Sequence, residues 1–308
     1  MIQNIQQLRL FVSSFFLVVI LGVTAVGSTS EAMSPKSTFK KKSNADLIAT
    51  VFPHQYSFSI NDHQLIVKTP LPYSRVVQLV KEIKIVHTNF FKIVGSMHPV
   101  PQDPNDELVV MIYGSSADYD VYHPMIYNLK SNNGGIYLEG KGILFTYDRT
   151  EHDSIYSLTE MVKHEYAHYL IGRYLVSGLW GQAAIYDNHR LTWFDEGFAE
   201  FLVGSHAEGI AKRSILVKQI RYHDKSERQN VSQILRSKYG DGFRFYKYSG
   251  LFFNYMYEND IDLMRQIIAK IRQTDIDGLD RLLNHIAQDK GINDSYHEFL
   301  TNSFTASL

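Results

Sequence analysis

The sequence predicts an α+β fold with a mixed-sheet front part and a helical back part. Short apolar runs rich in β-branched and aromatic residues, bounded by turn residues, fill much of the chain before Asp153. Beyond Asp153, apolar residues recur at helical spacing almost without interruption. At the junction, a strongly helical segment carries the string HEYAHYL, residues 164–170.

The elements follow in chain order. Arg9 stands before an apolar run from Leu10 to Val26, interrupted by Ser13, Ser14, Gly22 and Thr24. Small residues come next at cleavage-like spacing, Ala25 and Gly27 or Ser30 and Ala32. Residues 1–32 therefore read as a secretory signal peptide, with an uncleaved membrane anchor as the alternative. The run is at the short end for a span. SPKSTFKKKSN, residues 34–44, has a proline and four lysines, so residues 33–49 read as a flexible, solvated basic linker. The globular part is expected over 50–308, with subdomains of about 50–175 and 176–308.

Within it, QYSFSINDHQLIVKT alternates on either side of Asn61-Asp62 and predicts a hairpin. RVVQLVKEIKIVHTNFFKIVG has helical spacing, and ELVVMIYGS is a short β-rich run. NNGGIYLEG and KGILFTYD predict a further strand pair. Ser157-Leu158-Thr159-Glu160 fits a capping box at the start of the HEYAH helix. Further helices are expected at 192–203, 212–222, 243–258, 261–274, 277–288 and 292–303. No internal repeat is visible.

Composition narrows the function. Hydrophobic residues make up 44% and charged residues 20%, the balance of a globular chain. A net charge of −1 lacks the basic surplus of nucleic-acid binders. There is no cysteine, so an exported chain would rely on core size and bound ions instead of disulfides. Cysteine-free exported chains are more typical of bacteria. The 20 Tyr and 18 Phe suit a core and also a peptide-binding groove.

The chemistry is concentrated in two strings. Residues four apart share a helix face, so His164 and His168 can offer imidazole nitrogens to one zinc ion at about 2.0–2.1 Å. Glu165 sits one step round, where it can take a proton from a zinc-activated water without being a ligand. A catalytic zinc site needs a third protein ligand. LTWFDEGFAEF, residues 191–201, offers Glu196 and, one turn on, Glu200. One of them can ligate while the other accepts a hydrogen bond from a ligand imidazole. Other histidines, His123, His152 and His189 among them, read as surface or hydrogen-bonded residues.

The stretch HEYAHYLIGRYLVSGLWGQAAIYDNHRLTWFDEGFAEFLVGS resembles the active-site region of the microbial collagenases, zinc endopeptidases of the gluzincin group. The likeness extends to SNNGGIYLEG, LFTYDRTEHDSIY and FRFYKYSGLFFNYMY, and covers most of residues 50–308. It implies a thermolysin-like zincin peptidase with the active-site helix between the two subdomains. It implies His164, His168 and Glu196 as zinc ligands, Glu165 as general base and Glu200 as hydrogen-bond acceptor behind a ligand. Tyr248 falls where the family stabilises the oxyanion, with Tyr246 as the fallback. Glu139 falls at a structural calcium, helped by backbone carbonyls between about Gly172 and Gly178. Gly134 and Gly135 would sit on an edge strand that pairs with an extended substrate; an ordinary Gly-Gly turn is the alternative.

The expected function is thus a secreted, bacterial metalloendopeptidase acting on gelatin, collagen-derived or other extended polypeptides. Nucleic acid is not an expected partner, and a membrane is one only if the N-terminal segment stays attached. A gluzincin aminopeptidase is the alternative enzyme, although its G-x-M-x-N-type strand is not found. An inactive exported peptide- or collagen-binding relative is the non-enzyme alternative. The large relatives carry a helical activator domain before the peptidase and often collagen-binding modules after it. About fifty residues precede the matching region here, so native triple-helical collagen is expected to be a poor substrate.

Overall fold

A computed structural model describes residues 43–61, 63–95 and 98–305. The candidate signal segment and most of the expected linker lie outside these residues. The end of that linker is helical instead: α1 spans Asn44–Val51, started by a capping box in which Ser43 and Asp46 exchange hydrogen bonds. The lysines before this cap give the segment a linker-like composition, yet Val51 and Phe52 are buried.

Strands β1 (His54–Ile60) and β2 (His63–Thr69) form the expected hairpin, with Ile60 opposite His63 and Asn61 at φ 47°. Helix α2 (Tyr73–Val94) leads to β3 (Glu107–Tyr113). Helix α3 (Ser116–Tyr127) was not anticipated. Its interior Pro124 and its polar, aromatic sequence blur the helical pattern. Strands β4 (Gly135–Leu138) and β5 (Ile143–Tyr147) pair antiparallel around a short 3₁₀ turn at Glu139–Lys141. The sheet order is β1-β2-β3-β5-β4, with the two inner pairings parallel and the two outer ones antiparallel.

The period of two along a strand sorts side chains onto two faces. Leu108, Val110, Ile112, Tyr137 and Leu144 join the main core against α2 and the following helix. Met111, Tyr113, Ile136, Leu138 and Phe145 form a smaller core beneath α1 and α3. Parallel strands covered on both faces read as unbroken apolar runs, which is how ELVVMIY looks in the sequence.

Helix α4 (Leu158–Tyr174) opens with the expected capping box: the Glu160 backbone N–H donates to Ser157 Oγ at 3.2 Å and the Ser157 N–H to Glu160 Oε2 at 2.9 Å. Every residue from Met161 to Tyr174 is buried, so the helix is central and has no solvent face. Helix α5 (Thr192–Val203) is likewise buried throughout. A small hairpin of β6 (Ser205–His206) and β7 (Gly209–Ile210) follows. Helices α6 (Ser214–Ile220), α7 (Val231–Leu235), α8 (Arg244–Asn259), α9 (Ile261–Arg272), α10 (Ile276–Gln288) and α11 (Lys290–Thr305) complete the back part. Among the described residues, no helix is long and apolar enough to cross a membrane.

Candidate active site

Helices α4 and α5 bring the two sequence strings together. His164 Nε2 lies 3.1 Å from His168 Nε2 and 3.4 Å from Glu196 Oε2, and His168 Nε2 lies 3.7 Å from that same oxygen. Donors placed at zinc distances around a tetrahedral centre stand about 3.3 Å apart. The three atoms thus form one face of such a tetrahedron, and the donor set of two imidazoles and a carboxylate suits zinc. Among the described residues this trio is the one group with metal-ligand geometry. All three side chains are buried.

Glu200, one turn beyond Glu196, puts Oε1 3.4 Å from His164 Nδ1, the nitrogen facing away from the trio. The carboxylates concentrate negative charge here. Burial works against a charged His164 imidazole, yet hydrogen bonds to Glu196 and Glu200 outweigh it and lift the pKa to about 10. An anionic pocket of this kind favours a cation in place of that proton.

Glu165 is fully buried at the wall of a cavity of about 430 Å³. Gly135, at the start of the edge strand β4, makes that position possible. A β-carbon on Gly135 would stand 3.1 Å from Glu165 Oε1 and 3.1 Å from Met161 Cγ. Gly134 lines the same cavity, and its carbonyl accepts from Thr146 Oγ1 at 2.8 Å and from the Arg149 guanidinium. Sequence reasoning missed Arg149, because no motif spacing links it to the helix.

The tyrosines separate clearly. The Tyr248 hydroxyl bonds to His223 Nδ1 at 2.8 Å, outside the cavity. Tyr246 lines the cavity instead. Burial first, then the carboxylates of Glu196, Glu200 and Glu165, push its hydroxyl pKa well above the ordinary value. Two residues along a helix are about 200° apart, so Tyr246 and Tyr248 cannot face the same way. The usable signal was Gly250. It is four residues from Tyr246 and therefore on the same face, and a β-carbon there would press on Glu200 Cβ at 2.9 Å.

Glu139 lies at the other end of α4. Its carboxylate occupies the space that a β-carbon on Gly172 would need, and Oε2 accepts from the Trp180 N–H at 2.6 Å. Asn105 Nδ2 donates to its backbone carbonyl at 2.8 Å. Glu139 and the segment after α4 are therefore adjacent.

The collagenase family model matches residues 27–299. The chain belongs to the collagenase family. It is 36% identical over 255 residues to Collagenase ColT of Clostridium tetani, an alignment that covers 81% of this chain and 25% of the relative. Collagenase ColA of Clostridium perfringens is 34% identical over 263 residues, covering 84% of this chain and 23% of the relative. A microbial collagenase of Vibrio alginolyticus is 29% identical over 185 residues, covering 57% and 21%. The chain thus spans about a quarter of the length of the curated relatives it matches. Family membership agrees with the α+β architecture around α4.

Proposed function

We propose that the chain is a zinc-dependent endopeptidase with a thermolysin-like zincin arrangement, exported from a bacterial cell, that cuts extended polypeptides. The observation that carries this reading is the triangle of His164 Nε2, His168 Nε2 and Glu196 Oε2. A zinc ion held there would act as a Lewis acid, making water acidic near pH 7 and polarising the scissile carbonyl. Glu165 takes the proton of the attacking water and hands it to the leaving amine, so the peptide bond breaks with one water consumed. Glu200 accepts from His164 Nδ1 and holds the imidazole with Nε2 forward. Tyr246, kept protonated by its surroundings, donates to the carbonyl oxygen as negative charge gathers on it.

Gly135 begins the edge strand beside Glu165, with Gly134 just before it, where an extended substrate can pair as a further strand. Glu139, with carbonyls of the neighbouring loop, would hold calcium as a hard oxygen ligand. One extended strand fits beside β4. A collagen triple helix winds three chains with glycine packed at the axis, so a strand must be freed first. The expected outcome with purified 308-residue chain is cleavage of N-terminally blocked peptides and gelatin, with little digestion of native collagen below its melting temperature. A strict need for a free amino terminus would replace the endopeptidase reading with an aminopeptidase. Failure to cut any peptide with zinc bound would leave a binding protein.

A further inference from the structure

Arg213 has no part in the chemistry above, yet it is buried against it. It sits just after the β6–β7 hairpin and before α6. The hairpin is clamped from two sides. Asn89 Nδ2 on α2 donates to the carbonyls of His206 at 2.9 Å and Gly209 at 2.8 Å. Lys163 Nζ on α4 donates to the Ser205 carbonyl at 2.7 Å and pairs with Glu82 at 2.9 Å. From this fixed base the Arg213 side chain reaches two carboxylates at once. One guanidinium nitrogen pairs with Glu200 Oε2, and the other donates to Glu160 Oε1 at 2.8 Å. The second oxygen of Glu160 caps α4 at Ser157, and the second oxygen of Glu200 faces His164. The guanidinium also lies 5.1 Å from the centre of the Tyr156 ring.

We propose that Arg213 is a positioning residue for the metal site: its two-armed guanidinium locks Glu200 to the first turn of α4 and thereby aims His164 at the ion. The proposal rests on the metal-site reading given above. Four residues from three separate segments, Ser157, Glu160, Arg213 and Glu200, then form one rigid track from the helix cap to the ligand. Arginine suits this task because its planar fork is already set for two carboxylates, whereas lysine presents a single point charge on a flexible stem. Without the guanidinium, Glu200 would be a buried carboxylate stripped of its main counter-charge and free to turn or to take up a proton.

The sign of the effect separates positioning from simple charge. A cation so close to the site repels a divalent ion, so a charge effect alone predicts tighter zinc binding when Arg213 is removed. Positioning predicts weaker binding. The test is equilibrium competition for zinc against a chelator of known affinity, using the full chain, with folding verified by near-ultraviolet circular dichroism. Arg213→Met is expected to weaken zinc binding by about 10–100-fold, the usual range for losing an orienting partner of a ligand. Arg213→Lys keeps the charge and loses the fork, and is expected to weaken binding by a smaller factor. Glu160→Gln leaves the Arg213–Glu200 pair intact and should give the smallest loss, in the same direction. Unchanged or tighter zinc binding in folded Arg213→Lys overturns the proposal, and the same result in Arg213→Met does so if that variant folds. Zinc-free wild type would instead sink the metal-site reading on which the proposal stands.

Discussion

Two candidate ion sites lie along α4, and they are built in different ways. In the middle of the helix, His164 and His168 project from one face and Glu196 meets them from α5, with donor atoms 3.1 to 3.7 Å apart. At its end, Glu139 stands on a 3₁₀ turn and turns its carboxylate to Gly172 and the Trp180 N–H. The first site is a product of helical periodicity and of two helices packed face to face, so its ligands stand ready in the buried core. The second joins a single carboxylate to a loop that folds back on it. A site built from rigid helices should govern chemistry, and one that ties a loop down should govern stability.

Removing a ligand from the first site is expected to have the largest effect. Glu196→Ala should lose zinc outright, while Glu200→Ala should weaken zinc affinity or activity by about 10–100-fold. Metal content of the two purified variants decides between the roles, and the reverse ranking would exchange them.

The tyrosines come next. Tyr246→Phe should lower kcat by about 10²–10³-fold with little change in KM, as loss of an oxyanion donor does. Tyr248→Phe removes the bond to His223, about 1 kcal/mol of stability, and should leave kcat within a few-fold of wild type. A large kcat loss in Tyr248→Phe with Tyr246→Phe unaffected would restore the role expected from the resemblance.

The smallest effect belongs to Glu139. An ion that binds only the folded chain stabilises it by about 2.7 kcal/mol at a hundred times its Kd. For a domain of this size that is roughly 5–10 °C in Tm. Calcium should give such a rise in the wild type, and Glu139→Ala should abolish it without touching zinc content. Identical wild-type melting curves with and without calcium would remove the second site from the comparison.

The same contrast explains what could be read in advance. The pairing of His164 with His168 was legible because a spacing of four means one face of a helix, whatever surrounds it, whereas Glu196 was separated from Glu200 only by the family resemblance. The β1–β2 hairpin and the α4 capping box were legible for the same local reason. Arg213 was not, because it lies 13 residues beyond Glu200 and its reach to Glu160 and Glu200 is set by the clamped hairpin between, which leaves no periodic trace. Between Tyr246 and Tyr248 the sequence alone does not decide, because aromatic residues crowd several faces of α8 in FRFYKYSG. The close approach of Gly250 to Glu200 puts Tyr246, one turn earlier, on the α5-facing side. Helix α1 was hidden by the lysines before it, although Ser43 and Asp46 carry the cap in plain sight.

Whether Glu165 acts as a base beside a zinc ion held by its neighbours is decided by Glu165→Gln. The substitution keeps the shape that Gly135 accommodates and removes the proton-accepting charge. Zinc content and peptide turnover should be measured on the same preparation. One zinc per chain is expected, as in wild type, with turnover lower by about 10²–10⁴-fold. Near-wild-type turnover with zinc bound would contradict it.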